Sequence, residues 1–272
     1  MERRPARATR VFRGVRLIFL SGGTSESLRV ERLLARAGLR MVVSQATELD
    51  MDHLDSPLVE VHRGRLDADG FCSLFSERGV RAVVDASHPF AERLREELEK
   101  ACQRLALPRL RVERPPSSVE GVIFATDHAR AAKLAFSRGR PVFLATGSRS
   151  LALYVRQARR SQVPFRARLV PSKESLQVCK EAGVEVAEVI WERGPFGLER
   201  NLEQFQGYGV LVAKDSGEGS GTAERLEAAR RLEMDVIMVR RPNPVRESVW
   251  DDVEILRWVD STYGVLVRDP AD

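Results

Sequence analysis

Four short segments of this 272-residue chain gather residue types that bind anions or move protons. Ser21-Gly22-Gly23-Thr24-Ser25-Glu26 follows an apolar run and opens an amphipathic stretch. Paired glycines let backbone approach a ligand closely, and the N–H groups at a helix start suit a pyrophosphate. Asp85-Ala86-Ser87-His88-Pro89-Phe90-Ala91 brings a carboxyl, a hydroxyl and an imidazole to the end of another apolar run, with Pro89 suited to a first helical turn. Thr146-Gly147-Ser148-Arg149 offers hydroxyls, amides and a guanidinium to a carboxylate or phosphate. Lys214-Asp215-Ser216-Gly217, continued by Gly219 and Gly221, is suited to wrap an anion with Lys214 as a point charge. Taken singly, each segment also reads as a capped turn or surface loop. Arg168 before Pro171, Lys173 and the run Trp191 to Phe196 add anion-binding candidates only as part of the set.

The first segment follows the logic of a dinucleotide loop without the full G-x-G-x-x-G spacing. In such folds the end of the second strand distinguishes the two nicotinamide nucleotides. Here it reads Ser44-Gln45-Ala46-Thr47-Glu48, with neither an acid at the strand end for a ribose diol nor an arginine for a 2′-phosphate. Ser44, Ala46 and Thr47 are placed beside the cofactor, Glu48 is a candidate for the diol, and NADH and NADPH both stay open.

Between these loops, short apolar runs alternate with amphipathic stretches from Arg16 to Arg240. That is the pattern of a parallel sheet with crossover helices. Strands are expected from Arg16, at Met41–Val43, Val59–Val61, Ala82–Val84, Gly121–Ala125, Pro141–Ala145, Phe165–Leu169, Val186–Ile190, Val210–Ala213 and Val236–Val239. The first helix sets Val30, Leu33, Leu34 and Ala37 on one stripe, and the third Phe90, Leu94, Leu98, Ala101 and Leu105. Pro115-Pro116 interrupts the alternation and marks a boundary. The expected fold is α/β: two Rossmann-like doubly wound parallel-sheet domains with an interdomain cleft. They span 15–115, binding the nicotinamide nucleotide, and 116–245. A basic, disordered tail covers 1–14, and a C-terminal extension, 246–272, packs on the core as an added helix and strand.

Hydrophobic residues at 43% and charged residues at 31% exclude a disordered, collagenous or coiled-coil chain. The net charge of +5 is diluted by interleaved acids, so nucleic acid is not implied, whereas an acidic small molecule is compatible with it. Cys72, Cys102 and Cys179 form no Cys-x-x-Cys pair. His53, His62, His88 and His128 show no ligand spacing, so no metal site is expected. No apolar run approaches a membrane span, and the arginine-rich start lacks the hydrophobic region of a secretory signal. A cytoplasmic protein is expected.

Taken in order, Gly22-Gly23-Thr24-x-Glu26, Asp85 to Ala91, Leu110-Arg111-x-Glu113-Arg114-Pro115, Thr146-Gly147-Ser148, Arg168-x-x-Pro171, Gly194-Pro195-Phe196 and Lys214-Asp215-Ser216-Gly217 resemble the precorrin-6A reductase family of cobalamin biosynthesis. The likeness covers about Leu17 to Pro242. It implies NAD(P)H-dependent reduction of precorrin-6A, or its cobalt form, to the 6B stage: hydride delivery to a tetrapyrrole, then protonation of the adjacent carbon. The Ser44 to Glu48 segment looks more like the anaerobic-branch members, associated with NADH. The arginine-rich leader and Ser220 depart from the family pattern.

The resemblance implies that Gly22, Gly23, Thr24 and Glu26 hold the pyrophosphate end of the cofactor while Asp85, Ser87, His88, Pro89 and Phe90 flank the nicotinamide. The 116–245 domain would take the tetrapyrrole, with Thr146, Gly147, Ser148, Arg149, Arg168, Lys173, Lys214, Asp215, Ser216 and Gly217 against its acetate and propionate arms. His88 and Asp215 are the candidate proton donors, with solvent as a third source. Handover to neighbouring corrin-pathway enzymes is open. Two rivals are carried. A short-chain dehydrogenase of a small alcohol is disfavoured because Tyr154, Tyr208 and Tyr263 lack a lysine four residues on. A non-catalytic nucleotide or phosphosugar sensor would use the same loops without turnover.

Overall fold

Runs rich in Val, Ile, Leu and Phe become parallel strands, the central ones buried on both faces, as sheets flanked by helices require. The computed structural model describes residues 17–46, 51–115, 121–217, 221–242 and 248–263. The expected 1–14 tail, Thr47, Glu48, Gly219, Ser220 and any terminal strand beyond residue 263 lie outside the described residues. Contacts divide the chain into two units. The first runs to Ser87 and includes Arg93–Glu113 and the C-terminal helix; the second combines His88–Glu92 with the stretch from Arg114.

In the first unit β1 (Leu17–Ser21), α1 (Ser25–Arg36), β2 (Arg40–Gln45), β3 (Val59–Arg63), α2 (Ala68–Arg78), β4 (Val80–Asp85), α3 (Glu92–Arg104) and β5 (Arg109–Arg111) follow one another. The strands lie in the order β3-β2-β1-β4-β5, every neighbouring pair parallel. This doubly wound order reverses direction between β1 and β4, the position where such sheets take ligands. On one face Val30, Leu33 and Leu34 of α1 pack on Ile18, Leu20, Met41 and Val43. On the other, Phe19 meets Phe71 and Phe75 with ring centroids 5.6 and 4.8 Å away. Truncating one such ring typically costs about 3–5 kcal/mol.

The segment expected as a C-terminal extension supplies α9 (Asp252–Tyr263), whose Ile255, Leu256, Val259 and Tyr263 join the α1 face. Arg29 of α1 caps this contact: its guanidinium lies 4.0 Å from the Trp250 ring centroid and donates to the Trp250 carbonyl.

The second unit contains β6 (Val122–Ala125), α4 (His128–Phe136), β7 (Val142–Ala145), α5 (Leu151–Ser161), β8 (Phe165–Leu169), α6 (Lys173–Glu181), β9 (Val189–Trp191), α7 (Leu198–Phe205), β10 (Val210–Lys214), α8 (Thr222–Arg231) and β11 (Asp235–Val239). Its sheet is also parallel, in the order β6-β11-β10-β7-β8-β9. The direction of winding changes at the β7/β10 neighbours. Among the described residues, no helix is long and apolar enough to cross a membrane.

Three local expectations differ from the fold. Val186–Glu188 is a short 3₁₀ turn rather than the start of β9, because the Glu188 carboxylate accepts the Glu185 N–H and closes the turn. β5 was not expected; its two arginines hide a strand that pairs with β4. Phe90 lies before α3 instead of on its stripe. The chain turns there, with the Ala91 N–H donating to the His88 carbonyl, and Phe90 packs against the core of the second unit.

Candidate active site

At the carboxyl ends of β1 and β4, the first unit builds a narrow, braced turn. Gly22 donates its N–H to the Ser44 carbonyl at 2.9 Å, and a Cβ added to Gly22 would lie 2.3 Å from that oxygen. Only glycine fits. Gly23 has φ +93°, with open space where a side chain would stand. Thr24 is the N-cap of α1: its Oγ1 accepts the Ser27 N–H at 3.0 Å, and Ser27 Oγ accepts the Thr24 N–H at 3.1 Å. The same Oγ1 donates to the Ala86 carbonyl at 2.9 Å, tying the loop after β1 to the loop after β4. Glu26 stands half-buried in the first turn of α1, where its carboxylate accepts from the Ser25 hydroxyl.

This cradle fits a dinucleotide. It has backbone that approaches closely, an exposed left-handed glycine, a capped helix start at a winding reversal, and a buried Ser21 Oγ without a hydrogen-bond partner at the exit of β1. At the end of β2, Ser44 is buried and Ala46 exposed. Gln45 is engaged elsewhere: the His53 ring bridges Gln45 Oε1 and Glu31 Oε2, 2.8 Å from each.

Asp85 and Ser87 belong to a buried ion network that the sequence did not reveal. Arg111 donates to Asp85 Oδ1 at 3.0 Å, to the Asp85 carbonyl at 3.1 Å and to Ser87 Oγ at 3.1 Å. It also donates to Glu113 Oε2 through Nε and Nη2 at 2.9 and 2.8 Å. Asp85 Oδ1 further accepts the Ser87 N–H, while Oδ2 is buried without a hydrogen-bond partner. These two residues hold the shape of the turn before His88.

In the second unit, His88 is half-buried and its Nδ1 accepts the Phe90 N–H at 3.2 Å, which leaves the proton of the neutral ring on Nε2. Pro89 is buried between them. The Phe90 ring stands 6.0 Å from the His128 ring, and Lys214 Nζ lies 5.2 Å from the Phe90 ring centroid. His128 Nδ1 is 2.8 Å from the hydroxyl of the fully buried Tyr154. Burial, followed by the Lys214 charge, lowers the His128 pKa to about 4.

Lys214 ends β10 beside the loop after β7: a Cβ added at Gly147 would come 3.9 Å from Nζ. Its pKa is lowered to about 8, first by burial and then by the positive charges of Arg149 and Arg225. Arg225, on α8, is itself pushed down by burial, and its Nε is buried without a hydrogen-bond partner. Thr146 is buried and its Oγ1 also lacks a partner. Neither Lys214 nor Arg149 has a carboxylate within ion-pair distance among the described residues. Three cations and an orphaned hydroxyl therefore gather at one strand end, and among the described residues none of the three has a carboxylate within ion-pair distance, Glu224 acting on Arg225 only through its charge, an arrangement an anionic ligand stabilises. Ser148 connects this loop to α6, its Oγ 3.2 Å from that of Ser175, and Lys173 is exposed in the first turn of that helix.

Two expected site residues are engaged by partners within the fold. Arg168 is buried, donates to Asn201 Oδ1 and Gln204 Oε1 at 3.0 and 2.7 Å, and stacks 3.7 Å from the Phe196 ring centroid, fastening α7 to β8. Asp215, expected as a proton donor, is buried beside Arg241, 3.6 Å away, and its Oδ1 accepts the Gly217 N–H at 3.2 Å. Arg241 also donates to the carbonyls of Asp215, Arg114 and Pro115. Gly217, at φ +83°, leaves no room for a side chain: its Cβ would sit 2.5 Å from the Arg241 guanidinium. Asp215 thus shapes its loop, with half-buried Ser216 between it and Gly217.

His128, Tyr154, Arg225, Arg241 and the Arg111–Glu113 pair are the residues that sequence reasoning missed. Arg111 and Glu113 were visible only as motif letters, whereas Arg225 looks like any charged helix residue. Among the described residues, no group of three His, Cys, Asp or Glu side chains is placed to hold a metal ion.

The fold and these loops define a class: α/β proteins with two doubly wound parallel sheets and ligand-type turns at the winding reversals. Comparison with known proteins narrows it. Residues 17–260 match the model of the family described as precorrin-6x reductase CbiJ/CobK. The cobalt-precorrin-6A reductase of Priestia megaterium is 29% identical over 243 residues, covering 88% of this chain and 95% of that protein. The precorrin-6A reductase of Rhodococcus erythropolis is 31% identical, covering 92% and 98%. A solved structure of CobK precorrin-6A reductase superposes with a TM-score of 0.75 at 25% identity, over 91% of this chain and 97% of that one. The chain belongs to the precorrin-6x reductase CbiJ/CobK family. It is accordingly an oxidoreductase of cobalamin biosynthesis.

Proposed function

We propose that this chain reduces precorrin-6A, or its cobalt-bearing form, to the corresponding 6B compound with NADH or NADPH, in the cytoplasm. The cation cluster of Arg149, Lys214 and Arg225, with no carboxylate in ion-pair distance among the described residues, carries the substrate reading, because the relatives are named for a substrate fringed with carboxylate arms.

A bound reduced nicotinamide nucleotide supplies the hydride. Gly22, Gly23 and Thr24 hold its pyrophosphate with the start of α1, with Glu26, Ser44 and Ala46 beside the rest of the nucleotide. The turn from Asp85 through Ser87, His88, Pro89 and Phe90 flanks the nicotinamide, its shape held by Arg111. Thr146, Gly147, Ser148, Arg149, Lys173, Ser216 and Arg225 receive acetate and propionate arms, with Lys214 among them. Much of the chain's contribution is positioning, since hydride transfer needs the reacting carbons roughly 3–3.5 Å apart.

The test supplies purified protein, under anaerobic conditions, with precorrin-6A or cobalt-precorrin-6A and follows NADH and NADPH oxidation separately. Oxidation of one nucleotide per tetrapyrrole supports the reading. No oxidation in any of the four combinations overturns it.

A further inference from the structure

We propose that Lys214 is the acid that completes the reduction, protonating the carbon next to the one that receives hydride. The inference deepens the reductase reading and rests on it.

The two acids expected from sequence are poorly placed for this step. Asp215 is buried against Arg241 and spends an oxygen on the Gly217 N–H. His88 spends Nδ1 on the Phe90 N–H. Lys214 has no such engagement. Its Nζ projects from the carboxyl end of β10, at the winding reversal of its sheet, over the face of Phe90, three residues after Ser87 in the turn assigned to the nicotinamide. The charged and titratable groups that face it are Arg149 after β7, Arg225 on α8 and His128 at the start of α4. None of them is a carboxylate.

Burial and the two arginines bring its ammonium to a pKa of about 8, the range in which an acid both holds its proton at neutral pH and releases it readily. A guanidinium at the same place binds an anion equally well but does not give up its proton. The chemistry balances. Hydride, carrying two electrons, adds to one carbon of the conjugated double bond and the nicotinamide is oxidised. The π electron pair closes a C–H bond at the neighbouring carbon with the proton from Nζ, the Nζ–H bond breaks, and the neutral amine is reprotonated by solvent.

Lys214→Arg and Lys214→Ala separate an acid from an anion-binding cation. With saturating nucleotide and tetrapyrrole, Lys214→Arg should lower kcat about 100-fold or more while its tetrapyrrole KM stays within about threefold. Methylamine should restore much of the kcat of Lys214→Ala. Wild-type kcat/KM should fall above about pH 8, and Lys214→Arg should lose that limb. A readout independent of turnover is the titration of Lys214 by NMR in lysine-labelled protein without nucleotide, its resonance assigned by its loss in Lys214→Arg. A midpoint near 8 supports the proposal. Lys214→Arg retaining kcat within twofold, or a Lys214 midpoint at the ordinary 10.5, overturns it while leaving the reductase reading intact. A wild-type protein that oxidises neither nucleotide with either tetrapyrrole overturns both.

Discussion

Thr24 Oγ1 donates a 2.9 Å hydrogen bond to the carbonyl of Ala86, 62 residues away, and so locks together the two loops on either side of the winding reversal in the first sheet. The same oxygen caps α1, so one side chain sets both the helix start and the gap between loops. Thr24→Val keeps the shape and removes both bonds. Unfolding in urea should show a loss of about 1–2 kcal/mol, and fluorescence titration should show weaker binding of the reduced nucleotide. Thr24→Ser should restore both, and unchanged nucleotide affinity in Thr24→Val would remove this turn from the cofactor site.

Arg111→Met removes the guanidinium that Asp85 and Glu113 both meet inside the fold. Breaking one side of a buried ion network costs about 3–5 kcal/mol, so the variant should unfold at much lower urea. A change within about 0.5 kcal/mol would show that the network adds little to the first unit.

These two residues also mark what the sequence made legible. The glycine turn after β1 was readable because Gly22 and Gly23 serve backbone geometry, which leaves a trace in residue type. Arg111 resisted reading for the opposite reason: Arg109-Leu110-Arg111 is polar by pattern, and only the parallel pairing with β4 shows that its charges are met by Asp85 and Glu113 inside the fold. Arg225 sits among Glu224, Glu227, Arg230 and Arg231 on α8, where nothing in the spacing separates an unanswered cation from a solvated one. His128 and Tyr154 are 26 residues apart and meet only because α4 and α5 pack together.

The Lys214 ammonium also gives stability a pH dependence of known sign. Its folded pKa, about 8, lies below the ordinary 10.5, so the unfolded chain binds more protons between those values and stability rises with pH across that window. Below pH 8 both states are protonated and the unfavourable burial of the charge is fully felt. Urea unfolding at pH 7 and pH 10 should show a smaller rise for Lys214→Met than for wild type, together with a more stable variant at pH 7. Equal slopes would contradict the lowered pKa.

For His128 the window is acidic. Its folded pKa of about 4 lies below the ordinary 6.5, so protons bind first to the unfolded chain and stability falls as pH drops from 6.5 toward 4. Part of this loss should vanish in His128→Asn, measured by thermal unfolding at pH 7 and pH 4.5. An identical acid slope in both proteins would show that the imidazole does not titrate in this range.

Direct hydride transfer gives the two new hydrogens of the product different sources. Reduction of the tetrapyrrole should be run in D₂O with unlabelled nucleotide, and in H₂O with nucleotide carrying deuterium on the transferred C4 position, each product being weighed by mass spectrometry. One deuterium from each source, on adjacent carbons, is the predicted result. A product whose two hydrogens both come from solvent, or a tetrapyrrole recovered unchanged while nucleotide is consumed, would contradict direct hydride transfer by this protein.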